Sequence, residues 1–215
     1  MRRVSLALMI LAASAGGCSA LKLPAAITVV PPPALKYVMA LSGPYGIGSG
    51  CPVAEDIVLT ALHVAKPYQT ILDFPPQQFR WSDGAGGRGM LKPDSPVPGA
   101  DGYILTPARP LAHWYLLAKY QPDVGAKLWL RVPEWGSQDH ALEWRRREVT
   151  VTQVVAGGIV FKPAGERGGS GGCLSDAQEN VIGVYVWAPP AGLSSVGFAF
   201  AVYDPWMRIE PAASP

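Results

Sequence analysis

Residues 168–172 read Gly168-Gly169-Ser170-Gly171-Gly172, so four glycines flank a single serine. Glycine has no Cβ, and such a stretch can adopt positive φ and accept another backbone at close range. The N–H groups of Gly168 and Ser170 can point at one spot, which is the arrangement that stabilises an oxyanion. Because β-rich apolar runs lie on both sides, at residues 159–161 and 181–187, we interpret the stretch as a sharp turn between buried strands. A flexible Gly/Ser linker is the alternative.

Two other glycine-rich motifs fit less well. The pentapeptide matches the G-x-S-x-G elbow of α/β-hydrolases, but that fold needs its acid and histidine after the serine. All three histidines, His63, His113 and His140, precede Ser170. The polar segment 175–180 also reads as a turn rather than as the helix that follows an elbow. A phosphate loop is excluded because no Gly-Lys-Ser/Thr follows.

The composition favours a β protein with a sizeable core. The chain has 215 residues, 49% of them hydrophobic, together with 24 glycines and 22 prolines. Short, β-branched apolar runs separated by Gly and Pro are typical of many short strands with tight turns. The formal net charge of +2 gives no indication of nucleic-acid binding. We expect no metal and no cofactor.

The first 35 residues have the pattern of an export signal. A basic start, Met1-Arg2-Arg3, precedes an apolar run that is too short to span a bilayer, and the small residues Ala15-Gly16-Gly17 precede Cys18. We predict a signal peptide at residues 1–17 and a proline-rich, semi-stiff tether at residues 18–35.

The segment before Cys18 resembles a bacterial lipobox, which implies acylation of Cys18 and an anchor in a membrane. Ser19 resembles the residue that directs lipoproteins to the outer membrane, so the expected location is periplasmic at that membrane. Ordinary signal cleavage, with Cys18 removed or free, is the alternative.

Residues 36–210 are predicted to form one domain of short strands in two lobes. A first set of strands is predicted at residues 36–41, 57–64, 71–74, 77–81 and 90–91, and a second at 127–132, 147–155, 159–161, 173–174, 181–187 and 197–202. Residues 107–122 would connect the lobes. His63 stands at the end of the apolar run 57–64, and Asp101 stands at the head of another.

Three motifs carry a histidine, an aspartate and a serine in that order along the chain: Thr60-Ala61-Leu62-His63, Asp101-Gly102-Tyr103-Ile104-Leu105, and the serine turn. Together they resemble the chymotrypsin-like serine peptidases, whose order is His, Asp, Ser. The segments Gly48-Ser49-Gly50 and Gly197-Phe198-Ala199-Phe200 are most similar to the bacterial HtrA/Deg-like branch, here without room for a PDZ domain. The resemblance implies an all-β fold of two six-stranded antiparallel β-barrels with the active site between them.

The resemblance also implies a role for each motif residue. Ser170 would be the nucleophile, His63 its general base, and Asp101 the group that orients the imidazole. The N–H groups of Gly168 and Ser170 would form the oxyanion hole. Asp94 is the next candidate for the acid. The chain departs from the family's pattern at Gly102, where a bulky apolar residue is usual, and at Cys173, where proline is usual.

The family's pocket positions carry no charge here. Ala164 stands where the trypsin branch has its acid, and the remaining pocket residues implied by the resemblance are Tyr185, Val186, Trp187, Gly197, Phe198 and Ala199. We therefore expect a protein or peptide substrate with a small or medium apolar residue on the acyl side of the cleaved bond. A catalytically inactive binding module and an esterase-like hydrolase on the same fold are the alternatives.

Cys51 and Cys173 are expected to form a disulfide. Export would put the domain where disulfides persist, and acylation of Cys18 would leave two thiols. In the family that the motifs resemble, these two segments pass near one another at the junction of the lobes. Two buried free thiols are the alternative.

Overall fold

The computed structural model describes residues 37–43, 46–65, 78–135, 142–165, 168–187 and 195–203. The predictions for the signal peptide, the tether, Cys18, a strand at residues 71–74 and His140 lie outside the described residues. Within these ranges no helix has the length and apolar character needed to cross a membrane.

Strands account for nearly all of the regular structure in the described ranges. Their bounds, with one four-residue helix, are β1 Met39–Gly43, β2 Gly46–Ala54, β3 Ile57–Ala61, α1 Leu62–Ala65, β4 Phe79–Asp83, β5 Arg88–Pro96, β6 Gly102–Pro107, β7 Lys127–Trp135, β8 Leu142–Val155, β9 Gly158–Lys162, β10 Cys173–Ser175, β11 Val181–Trp187 and β12 Gly197–Ala201.

The first six strands close into a barrel in the order β1-β2-β3-β6-β5-β4, and every neighbouring pair is antiparallel. Alternate residues along the strands point inward and fill the barrel. Its core includes Leu41, Val58, Leu91 and Leu105, all of which are buried.

The last six strands close into a second barrel in the order β10-β11-β12-β9-β8-β7, again with antiparallel neighbours. Leu130, Ile159, Phe161 and Ile182 are among the residues that fill it. The predicted fold, two six-stranded antiparallel barrels, is therefore confirmed.

A third apolar cluster joins the two barrels. Leu59 and Ala61 of the first barrel pack in it with Val184 and Phe200 of the second. Cys51 and Cys173 lie in the same cluster and form a disulfide, with their Cα atoms 5.2 Å apart. The predicted bridge between the lobes is thus confirmed, and the alternative of two free thiols is wrong.

The apolar run that ends near His63 is not one strand. β3 stops at Ala61, which pairs with Gly102, and the next N–H, that of Leu62, donates to the carbonyl of Asp101 (3.2 Å). The chain then turns through α1, where Val64 packs on Gly48 so closely that a Cβ at Gly48 would lie 2.5 Å from a Val64 methyl. An apolar run alone does not distinguish a strand from a buried helical turn.

β5 is much longer than its predicted core at residues 90–91. It continues to Pro96, and its pairing with β6 shifts register between Pro93 and Pro96. Proline cannot donate to a ladder, so it is tolerated in a strand where the ladder is irregular. Apart from Pro107, the last residue of β6, the predicted connector between the lobes has no strand of its own in its described residues, where Leu117 forms a single bridge with Val181.

Candidate active site

The serine turn lies directly before β10 and is built on two glycines with positive φ. Gly168 has φ of +87° and Gly171 of +94°, values that side chains other than glycine rarely adopt. Within the turn the N–H of Gly172 donates to the carbonyl of Gly169 (2.9 Å). Ser170 therefore sits at the apex of a tight loop, as the sequence predicts.

β2 of the first barrel holds one side of this turn. The N–H of Ser49 donates to the carbonyl of Ser170 (2.7 Å), and the Ser49 hydroxyl donates to the carbonyl of Gly168 (3.0 Å). The buried hydroxyl of Thr60 on β3 donates in turn to the carbonyl of Ser49 (2.7 Å). Sequence reasoning assigned no role to Thr60, although a lone hydroxyl in an apolar strand indicates a buried polar partner.

β11 of the second barrel holds the other side. The N–H of Gly171 donates to the carbonyl of Tyr185 (2.7 Å), and the N–H of Tyr185 donates to the carbonyl of Gly172 (2.9 Å). A Cβ on Gly171 would lie 1.8 Å from the carbonyl oxygen of Ser49. The turn is thus clamped between the two barrels, and only glycine fits at position 171.

Among the described residues, the carbonyls of Gly168, Gly169, Ser170 and Gly172 accept hydrogen bonds, whereas the N–H groups of the first three residues of the turn donate none. Within the described residues, the N–H groups of Gly168 and Ser170 donate no hydrogen bond. Such donors are available to a negative charge on a bound group, the property that an oxyanion hole requires.

His63 and Asp101 approach each other through their backbones. His63 is the second residue of α1, and Asp101 immediately precedes β6; the hydrogen bond between Leu62 and Asp101 joins the two segments. Both side chains are exposed. In the described part of the chain, no hydrogen bond links the side chains of His63, Asp101 and Ser170. Catalytic hydrogen bonds often form only in the substrate complex.

Asp94, the other candidate acid, has a different setting. It lies within β5, its side chain is exposed, and its carboxylate accepts a hydrogen bond from the Ser95 hydroxyl (3.1 Å). The residue whose carbonyl accepts a hydrogen bond from α1 is Asp101, which favours Asp101 as the partner of His63.

Packing explains why position 102 carries a glycine. Its position is buried, and a Cβ there would lie 2.5 Å from the ring of Phe200 on β12. The volume that a bulky residue after the acid would occupy is therefore supplied by a side chain from the opposite barrel.

The residues predicted to form the substrate pocket differ in how far they are buried. Ala164 is half-buried two residues after β9, and its N–H donates to the carbonyl of Ser195 (2.8 Å). Gly197 is buried, Phe198 is half-buried, and Val186 and Ala199 are wholly buried. The side chain of Trp187 lies outside the described residues.

Tyr185 fills space beside Gly165, the residue after Ala164. Its ring is 2% exposed, lies 5.8 Å from the ring of Phe161 and abuts Gly165. Burial raises the pKa of Tyr185 to about 12, so the phenol stays neutral over the working pH range. Neither Ala164 nor the neutral Tyr185 therefore brings a charge to this part of the second barrel.

No protein-family model and no curated protein matches this chain. The fold, in contrast, has many solved counterparts. The Rv3671c protease from M. tuberculosis, in its active form, is 18% identical with a TM-score of 0.59, over 76% of this chain and 75% of that one.

Two other solved proteases show the same likeness. A Glu endopeptidase in complex with MPD is 12% identical with a TM-score of 0.63, over 81% of this chain and 88% of that one. The MamO protease domain from Magnetospirillum magneticum is 20% identical with a TM-score of 0.56, over 77% of this chain and 91% of that one. This chain accordingly has the chymotrypsin-like double-barrel fold found in serine proteases.

Proposed function

We propose that the protein is a serine endopeptidase that cleaves peptide bonds through an acyl-enzyme. The observation that carries the proposal is the clamped serine turn, in which both barrels bind the backbone around Ser170 while the N–H groups of Gly168 and Ser170 have no acceptor in the described part of the chain. The double-barrel fold and the order of His63, Asp101 and Ser170 support it.

In the proposed mechanism, the Ser170 hydroxyl attacks the scissile carbonyl while His63 takes its proton. Asp101 holds the imidazole in the required tautomer and stabilises its charged form. The N–H groups of Gly168 and Ser170 stabilise the oxyanion. The tetrahedral intermediate then collapses, His63 returns the proton to the leaving amine, and water hydrolyses the ester by the same route in reverse.

Ser170→Ala tests this assignment. A fluorophosphonate probe should label the wild type and fail to label the variant, since the bond to phosphorus needs the Ser170 oxygen. Ser95→Ala removes a hydroxyl outside the site and should label normally. Equal denaturation midpoints would show that both variants fold. Normal peptidase activity of a folded Ser170→Ala protein would rule out the mechanism.

The choice of acid can be tested with a matched pair. Asp101→Asn keeps the shape of the side chain, but its amide stabilises the wrong tautomer of His63. The value of kcat should therefore fall by about a thousandfold or more. Asp94→Asn should leave kcat within about twofold, because Asp94 bonds Ser95 and not α1. The reverse result would transfer the role to Asp94.

On the acyl side of the cleaved bond, we propose that small or medium apolar residues are preferred. Ala164 and the neutral, buried Tyr185 offer no counter-charge to Lys or Arg. A cleavage profile over peptides that vary this one position should therefore contain few basic sites. A profile made up mainly of Lys and Arg would refute the preference.

A binding module that keeps the fold without catalysis is the second candidate function. The observation in its favour is the absence of a hydrogen bond between the side chains of His63 and Asp101 within the described residues. The probe experiment separates the two, since a binding module would stay unlabelled in the wild type.

We further propose export and anchoring through an acylated Cys18, supported by the small residues before Cys18 and the proline-rich tether after it. Palmitate should label the wild type in cells and should not label Cys18→Ser. A mature protein that begins beyond residue 18 would contradict this proposal.

A further inference from the structure

A groove of about 500 Å³ lies mostly on the first barrel, and Pro133 of β7 and Gly168 of the serine turn also line it. Ile47 and Met90 supply large apolar side chains to its lining. Ile47 is 45% exposed, although it is a large apolar side chain. The groove thus offers apolar surface to a ligand that also contacts Gly168 of the serine turn.

Two arginines give this groove its charge. Ser42, Arg80 and Met90 lie directly opposite one another across β1, β4 and β5, so they share one face of the sheet. Arg88 lies two residues from Met90 on the same strand and therefore on the same face. Both arginines line the groove and both side chains are exposed.

Neither arginine is neutralised in the described part of the chain. The ion pairs found there are Lys127 with Glu148 and Arg131 with Glu179. Asp83, the acid next to Arg88 across the hairpin, accepts hydrogen bonds from the N–H groups of Ala85 and Gly87. The groove accordingly presents two unpaired positive charges beside apolar surface.

The position of the groove determines which part of a substrate could reach it. Ala164 and Tyr185 belong to the second barrel, whereas the residues that line the groove belong to the first barrel except for Pro133 and Gly168. A peptide whose carbonyl meets the N–H of Gly168 would therefore extend in one direction over each barrel.

We infer that the groove binds the leaving-group side of the substrate and selects a segment with an apolar residue beside an acidic one. This inference rests on the proposed peptidase function. Guanidinium groups bind carboxylates through paired, charge-assisted hydrogen bonds, while Ile47 and Met90 cover an apolar neighbour. Specificity on the leaving side thus comes from Arg80 and Arg88.

The test compares peptides that are identical on the acyl side and carry Glu or Lys at the second and third leaving-side positions. The wild type should cleave the Glu peptide with kcat/KM about tenfold higher, and added salt should reduce the difference. In Arg80→Gln/Arg88→Gln the ratio should fall below about twofold. Arg109→Gln, an exposed arginine outside the groove, should keep the wild-type ratio.

A second variant changes the charge without removing either arginine. Ser42→Glu places a carboxylate directly opposite Arg80, where it should pair with the guanidinium and lower the Glu-to-Lys ratio. A small ester substrate without leaving-side residues provides the reference. Its hydrolysis should be the same in all of these variants, which shows that the reaction at Ser170 is intact.

Two failures can be told apart. If the wild type hydrolyses the ester but cleaves the Glu and Lys peptides equally well, the inference about the groove is overturned and the proposed function stands. If it hydrolyses neither the ester nor a peptide, the proposed function fails. Anisotropy of labelled leaving-side peptides then decides the groove: tighter binding of the Glu peptide supports it, and equal binding overturns it.

Discussion

At the scale of single residues, position 171 shows how strictly the serine turn is specified. Gly171 combines φ of +94° with backbone contact to Ser49, so an added methyl group would violate two conditions at once. The close approach carries the Ser49 to Ser170 hydrogen bond. The geometry around the serine therefore depends on the absence of a side chain next to it.

We predict that Gly171→Ala impairs folding and abolishes labelling of Ser170, because the new methyl group would push β2 away from the turn. The free energy of unfolding should fall by more than the roughly 1–2 kcal/mol that positive φ alone costs an alanine. Urea denaturation and probe labelling measure the two effects.

Gly125→Ala is the matched control for φ. Gly125 has φ of +91° and nothing within 4 Å of its added Cβ, so this variant carries the φ cost without the clash. If both variants lose the same stability, contact with Ser49 is not what demands glycine at position 171.

At the scale of elements, sequence patterns predict strands well where the apolar run ends with the strand. β11 matches its prediction because Val181–Trp187 is apolar throughout and bounded by polar and proline-containing segments. The pattern failed at α1, because the apolar run continues past the last residue of β3. There the change of direction is set by Asp101 and Gly48, which lie far away in sequence.

The packing of β6 against β12 leads to a second prediction. Gly102→Val should destabilise the protein although valine favours strands, because the ring of Phe200 occupies the space. Phe200→Ala should cost about 3–5 kcal/mol by leaving a cavity between the barrels. The double variant should cost less than the sum, with a coupling of about 1–3 kcal/mol in urea denaturation. Strictly additive costs would contradict the contact.

At the scale of the whole molecule, the sequence predicted the two barrels and the candidate site residues, but it did not predict the groove that several strands form together. The motifs around His63, Asp101 and Ser170 are local, so they can be read along the chain. The arginine-lined groove is not local, since β1, β2, β4, β5, β7 and the serine turn each contribute to it. Cross-strand register creates such a site, and register is not visible in a single run of residues.

The disulfide is the covalent link at this scale. Cys51 of the first barrel and Cys173 of the second are 122 residues apart in sequence and buried in the cluster that joins the barrels. Closing so long a loop restricts the unfolded chain, by about 4–5 kcal/mol in the chain-entropy model. We predict that Cys51→Ala/Cys173→Ala lowers the free energy of unfolding by about 2–5 kcal/mol in urea denaturation.

Reductant separates the bond from the packing of its sulfur atoms. The urea midpoint of the wild type should fall when the bond is reduced, because the unfolded chain regains its freedom. The midpoint of the alanine variant should not respond, since it has no bond to lose. Thiol titration must show two more free thiols in the reduced wild type than in the oxidised wild type. If the midpoint then stays unchanged, the barrels are joined by the apolar cluster of Leu59, Val184 and Phe200 rather than by the bridge.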